Sequence, residues 1–200
     1  MGRTVDYYFA PQSPWAYLGH QRLADIAQRT GATVRVMPID LGGKVFPISG
    51  GLPLGQRAPQ RQAYRLVEMQ RFSQHLNLPL NLKPQYFPVG GDDAARLIIA
   101  ADLALGSAGA MAMAGAILTA CWAQQRNMAD DQVLAELVQE QKLPASLLAQ
   151  SQSQAVQERY EACTQAAIDA GVFGAPSYVV DGEVFWGQDR LDFVERALAR

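Results

Sequence analysis

Ser13-Pro14-Trp15-Ala16 lies where a short apolar strand pattern, Val5 to Phe9, runs into an amphipathic helix pattern. A serine ahead of a proline at a helix start puts a hydroxyl at the helix's positive end, where backbone N–H groups and the macrodipole favour an anion. Such a position suits a thiolate, and a lowered thiol pKa makes sulfur nucleophilic near neutral pH. No cysteine stands at Ser13 or Ala16, so this segment cannot do dithiol chemistry, and any sulfur must come from another molecule. The same residues also read as a plain cap, with Ser at the N-cap and Pro at the first helical position.

Two later segments could complete a site. Ala175-Pro176 precedes a strand pattern, and its backbone N–H and C=O could pair with an extended peptide. Trp186-Gly187-Gln188-Asp189-Arg190 opens the last helix; its amides suit a carboxylate, and Asp189 could take an ammonium beside it. Asp189 reads equally well as a helix N-cap. Together the three segments describe a groove for an extended molecule with a thiol in its middle and an amino-acid head at one end. Glutathione has that shape.

The elements that must position these residues follow from periodicity. Val5–Phe9 has the aromatic and β-branched content of a buried strand, and Ala16, Tyr17, Leu23, Ile26 and Ala27 fall largely on one helical face that Gly31 stops. Thr33–Met37 alternates as a second strand ended by Pro38, so the β-α-β unit should be parallel and right-handed. A Gly/Pro loop over 42–59 leads into about a hundred residues of helix-forming sequence. Helices are expected over 63–76 (apolar side Tyr64, Leu66, Val67, Phe72), within 92–126, over 130–141 and over 144–170. Ser177–Val180 and Glu183–Trp186 then form a hairpin about Asp181-Gly182, and Leu191, Phe193, Val194, Ala197 and Leu198 mark a closing helix. There are no internal repeats. The predicted architecture is α/β: a thioredoxin-like unit from 1–41 and 171–200, split between its β-α-β and β-β-α halves by an all-helical insertion, 42–170. In thioredoxin-like folds a proline placed like Pro176 is cis and stands against the first helix's N-terminus.

Composition limits the rest. Two hundred residues, 49% hydrophobic, can bury a sizeable core, and a net charge of −2 gives no electrostatic footprint for nucleic acid or an anionic membrane. Cys121 and Cys163 lack metal-ligand spacing and are expected to be buried and reduced. His20 and His75 have no partners at ligand or triad spacing. The N-terminus, Met-Gly-Arg-Thr-Val-Asp, shows no signal-peptide sections, and the apolar stretch 97–123 is interrupted by Asp102, Gly and Ser, which suits packed helices better than a membrane span. A cytoplasmic protein is expected.

Tyr8-Phe9-x-x-x-Ser13-Pro14-Trp15-Ala16-Tyr17-Leu18, Pro38-Ile39-Asp40-Leu41, Phe173-Gly174-Ala175-Pro176 and Trp186-Gly187-Gln188-Asp189-Arg190-Leu191 resemble the 2-hydroxychromene-2-carboxylate isomerases of bacterial aromatic degradation, relatives of kappa-class glutathione transferases. The similarity runs over nearly the whole chain. It implies a usually homodimeric, glutathione-dependent cis-trans isomerase that yields trans-o-hydroxybenzylidenepyruvate. It implies that Ser13 contacts the glutathione sulfur, that Ala175 beside Pro176 pairs with the cysteinyl backbone, and that Trp186, Gly187, Gln188 and Asp189 hold the γ-glutamyl end. Lys44 and Tyr86 stand about where the family has a lysine and a tyrosine for the aromatic keto acid, although a solvated charge and a packing residue are equally open roles for them. Gln56 and Arg57 stand near where naphthalene-pathway members have an asparagine. A kappa-like glutathione transferase or peroxidase would share the glutathione site, and a non-catalytic thioredoxin-like binding protein would bind no glutathione.

Overall fold

In the computed structural model, which describes residues 2–200, the chain forms a four-stranded mixed sheet with helices on both faces; Met1 of the N-terminal reading lies outside the described residues. Strand β1 (Thr4–Phe9) leads into α1 (Pro14–Thr30), and β2 (Thr33–Pro38) pairs with β1 in parallel, Thr4 opposite Thr33 and Phe9 opposite Pro38. Gly31, in the left-handed region at φ 66°, ends α1 and donates its N–H to the Ala27 carbonyl. The sheet order is β2-β1-β3-β4: β3 (Ser177–Val180) lies antiparallel to β1, and β4 (Glu183–Trp186) antiparallel to β3. Asp181 and Gly182 turn that hairpin with φ 50° and 82°. The expected α/β thioredoxin-like order with its helical insertion is the one observed.

The insertion differs in detail. The loop 42–59 contains a five-residue π-helical turn, Leu41–Val45, then α2 (Phe46–Ser49) and a 3-10 turn, Leu54–Gln56. Helix α3 runs Pro59–Leu76, but Tyr64 and Val67 are exposed; the row that faces inward is Leu66, Met69, Phe72 and Leu76, with Met69 fully buried. Helix α4 (Asp92–Trp122) is followed by α5 (Asp131–Glu140). The single helix expected over 144–170 is two, α6 (Ser146–Gln150) and α7 (Gln154–Asp169), because Ser153 turns extended and its hydroxyl caps the Val156 N–H. Pro38 is the last residue of β2 rather than its stop, tolerable on an edge strand.

Alternation along β1 divides the core. Val5, Tyr7 and Phe9 face α1, α4 and the last helix, α8 (Leu191–Leu198), while Tyr8 joins Met37, Ile39, Cys163, Ala167 and Val179 beneath α7. By length and composition α4 could cross a membrane, yet half of its most apolar window is buried against the sheet and α1, and it breaks at Gly106 (φ 72°, ψ −170°). Past that break Ser107 donates its hydroxyl to the Val34 carbonyl of edge strand β2 at 2.6 Å.

Candidate active site

Sheet register brings the three sequence segments to one end. The β1–β3 ladder finishes with Tyr8 opposite Ser177, so Phe9-Ala10 and Ala175-Pro176 meet just beyond it, and Ser13 follows through a turn closed by its N–H to the Ala10 carbonyl, 2.9 Å. Across β3, Ser177 pairs with Trp186, and the Gly187 N–H donates to the Pro176 carbonyl at 2.9 Å. Ser13, Ala175-Pro176 and Trp186–Asp189 therefore sit in order over the ends of β1, β3 and β4. Two strand spacings separate the first from the last, about 10 Å. On the other side of β1, Ile39 donates its N–H to the Phe9 carbonyl, so the chain leaves the β2 edge at this same end of the sheet on its way to Asp40 and Lys44.

Ser13 is nearly buried, 8% exposed, and caps α1: its Oγ accepts from the Ala16 N–H at 3.2 Å. That bond uses a lone pair and leaves the hydroxyl proton without an acceptor among the described residues. Pro14 has no N–H, and the Tyr17 N–H goes to the Ser13 carbonyl at 3.1 Å. The Trp15 N–H has no partner among the described residues. One hydroxyl and one amide thus point out of the helix at its positive end.

The Ala175–Pro176 bond is cis. Neither the N–H nor the C=O of Ala175 is hydrogen-bonded among the described residues, whereas both neighbouring carbonyls are engaged: Gly174 accepts from the Ser177 hydroxyl at 2.8 Å and Pro176 from Gly187. The Trp186 ring is 53% exposed, lies across Gly174 and meets Phe173 edge-on, centroids 4.9 Å apart. Gly187 holds φ 105°, and a side chain there would strike the Asp189 carboxylate.

The last segment departs from the expected picture in two respects. Gln188 is 2% exposed, and its Oε1 and main-chain carbonyl both accept from Arg22 of α1, at 2.8 and 3.1 Å, so its side chain is tied to α1. Asp189 caps no helix: α8 has no side-chain cap, and the Asp189 carboxylate pairs with Arg190 at 2.7 Å. The Gln188 and Asp189 amides have no partner among the described residues.

Lys44 and Tyr86 are not brought together as a pair. Lys44 lines a cavity of about 170 Å³ with Asp40, Asp92, Arg96 and Tyr160. There the Tyr160 phenol donates to Asp92 at 3.0 Å, and burial together with the Asp92 charge raises its pKa. Tyr86, 44% exposed, lies in the segment before α4, next to Phe87, whose ring meets Trp122 at 4.9 Å. That segment ends at Gly91, which touches the side chain of Gln12, the neighbour of Ser13. An apolar recess of about 350 Å³ between Ile48 and Phe173 contains no titratable side chain. Both cysteines are buried and free, and burial pushes the Cys163 thiol up to about 11 and the Cys121 thiol up to about 12, so neither supplies a thiolate near neutral pH.

Residues 4–199 match the DSBA-like thioredoxin domain. The 2-hydroxychromene-2-carboxylate isomerase of Pseudomonas putida is 34% identical over 200 residues, covering 98% of this chain and 94% of that protein. The chain belongs to the 2-hydroxychromene-2-carboxylate isomerase family, within the DSBA-like thioredoxin domains. A solved 2-hydroxychromene-2-carboxylate isomerase superposes with a TM-score of 0.82 at 31% identity, covering 98% of this chain and 95% of that one. The cytosolic disulfide reductase DsbM of Pseudomonas aeruginosa, solved with GSH, has the same fold at 20% identity and a TM-score of 0.68, covering 98% and 93%. The family reading thus rests on the whole chain. Two features escaped the sequence reading. The unclaimed Trp15 amide follows from Pro14 and the Ser13 cap, and was in principle legible. The Tyr160–Asp92 contact joins residues 68 apart, and no local pattern announces it.

Proposed function

We propose that this protein is a glutathione-dependent isomerase that converts a 2-hydroxychromene-2-carboxylate to the open-chain trans-o-hydroxybenzylidenepyruvate. The observation that carries the proposal is the pair of unclaimed donors, the Ser13 hydroxyl and the Trp15 amide, at the N-terminus of α1 beside the free backbone of Ala175. The free groups fit glutathione along its length: sulfur at Ser13, cysteinyl N–H and C=O on Ala175, γ-glutamyl carboxylate on the Gln188 and Asp189 amides, and α-ammonium on Asp189 beside Arg190. When bound, glutathione supplies a thiolate that adds to the substrate's conjugated double bond and leaves again after rotation about the resulting single bond.

Ser13 donates its proton as a hydrogen bond to the sulfur, and the Trp15 N–H adds a second donor. Both favour the charged form, which helps addition modestly and departure more, because a better leaving thiolate is also a weaker nucleophile. Serine does this without forming a disulfide. Trp186, with Gly187 beneath its backbone turn, walls the γ-glutamyl end. In this reading 1–41 and 171–200 form the unit that holds glutathione, and 42–170 supplies Lys44, Tyr86 and the aromatic substrate's side. The cytoplasmic location and the homodimer implied by the family resemblance belong to the same proposal.

Ultraviolet titration of the glutathione thiolate tests it. Free thiol ionises near pH 8.5; bound to this protein it should ionise lower, and Ser13→Ala should move it back towards the free value. Bound glutathione that ionises like free glutathione would contradict the assigned role of Ser13.

A further inference from the structure

Arg57, Arg61 and Arg65 follow one another at four-residue spacing, the last two on the first turns of α3. Among the described residues none of the three is in an ion pair. Arg57 donates its Nε–H to the Leu52 carbonyl at 2.8 Å and lies over the Phe46 ring, 5.9 Å to the centroid. Arg65 is half-buried over two rings, 5.4 Å from the Phe87 centroid and 5.7 Å from that of Trp122. No hydrogen bond satisfies its guanidinium among the described residues. Burial holds its pKa down at about 10, and the neighbouring Arg57 charge pushes the same way.

A partly desolvated cation with another cation beside it and no carboxylate paired with it among the described residues is poised for an anion. Aromatic faces attract the charge, but they leave the five N–H donors of a guanidinium for an acceptor in its plane. Lys44 is a weaker candidate, because Asp40, Asp92 and Glu161 line its cavity together with Arg96, so carboxylates already face it. The arginines also join the places where an aromatic substrate is expected: Phe46 follows Lys44 by two residues, Phe87 adjoins Tyr86, and the segment from Tyr86 ends at Gly91 against Gln12, next to Ser13.

We propose that Arg65, supported by Arg57, receives the carboxylate of the aromatic keto acid, with Phe87 and Tyr86 beside its ring. The identity of the acid rests on the isomerase reading; the affinity for an aromatic carboxylate does not. Calorimetric titration with trans-cinnamate and with its neutral amide, cinnamamide, in glutathione-free buffer separates the two. The wild type should bind the carboxylate at least about tenfold more tightly than the amide, as one charge-assisted hydrogen bond would give. Arg65→Met, and Arg65→Gln as a second variant that keeps the position polar, should bring the two ligands within about twofold while Arg71→Met keeps the preference. Thermal melts check that each variant is folded. No preference for cinnamate in the wild type, or an undiminished preference in a folded Arg65 variant, would overturn the proposal even if isomerisation is normal. An Arg65-dependent preference in a protein that fails to isomerise the hydroxychromene would uphold it while removing the isomerase reading.

Discussion

The observed cap and the proposed sulfur contact of Ser13 can be separated because they use different parts of one hydroxyl. Its lone pair caps the Ala16 N–H, and its proton is free for sulfur. Ser13→Ala should cost about 1 kcal/mol of stability as a lost cap. It should also lower kcat by about ten- to a hundredfold, the value of a hydrogen bond to a charged group. A thermal melt and steady-state rates read the two effects independently, and full activity with a lowered Tm would leave Ser13 as a cap alone. Asp189 is simpler than the sequence suggested, since it caps nothing. Asp189→Asn should weaken glutathione binding by about tenfold or more in calorimetry while the melt barely moves, because its ion pair with Arg190 is exposed at the surface. Unchanged affinity would assign the ammonium to another residue. His20 belongs to stability instead. Its Nε2–H donates to the Met111 carbonyl at 3.0 Å, and burial lowers its pKa from 6.5 to about 4. The unfolded chain therefore binds a proton between those values that the folded chain refuses. Stability from this group is complete above pH 6.5 and falls as pH drops towards 4, by up to about 3 kcal/mol. Denaturant unfolding at pH 7 and pH 4.5 should show a smaller acid loss in His20→Gln than in the wild type; equal losses would refute this account.

Helix α4 joins the thioredoxin unit to the insertion, and its break is built on one residue. Gly106 holds a backbone conformation that side-chain-bearing residues avoid, with open space where a Cβ would point, so Gly106→Ala isolates the conformational penalty. It should destabilise by about 1–3 kcal/mol, whereas Gly90→Ala, equally uncrowded and without positive φ, should be nearly neutral. Equal Tm values would mean that α4 straightens without cost. The sequence showed a long Ala- and Gly-rich helical region here but not the bend, because Gly106 is one of several glycines and only the docking of Ser107 on Val34 selects it. The strands, α1 and the hairpin were legible because each carries local punctuation: Pro14, Gly31, Asp181-Gly182. The inward face of α3 was misread because Tyr64 and Val67 are as apolar as Leu66 and Met69, and tertiary packing alone decides which row turns in. The three segments of the proposed glutathione side could be picked out in the sequence for a related reason: each is a contiguous motif, and the sheet register brings their strand ends to one end of the sheet. On the proposed aromatic side, Lys44 and Tyr86 entered only through the family resemblance and are not brought together as a pair, while Arg65 carries no local motif and stands out only through its stacking on Phe87 and Trp122.

At the scale of the whole molecule, one end of the sheet receives the β1 turn, the cis Ala175–Pro176 loop and the β4 turn, and the insertion meets that end where Gly91 abuts Gln12. In the proposed function the donors for sulfur thus lie between the free backbone of Ala175 and the arginines and aromatic rings of the insertion. That geometry suits a thiol that is borrowed and returned, since the chain's own two thiols are buried elsewhere. The most direct measurement is therefore the isomerisation of a 2-hydroxychromene-2-carboxylate, followed by absorbance in thiol-free buffer and then with glutathione far below the substrate concentration, with glutathione assayed at the end. The account predicts negligible enzymatic turnover without glutathione, complete conversion with a trace of it, and its full recovery. Undiminished turnover in thiol-free buffer, or the loss of one glutathione for each product formed, would contradict it.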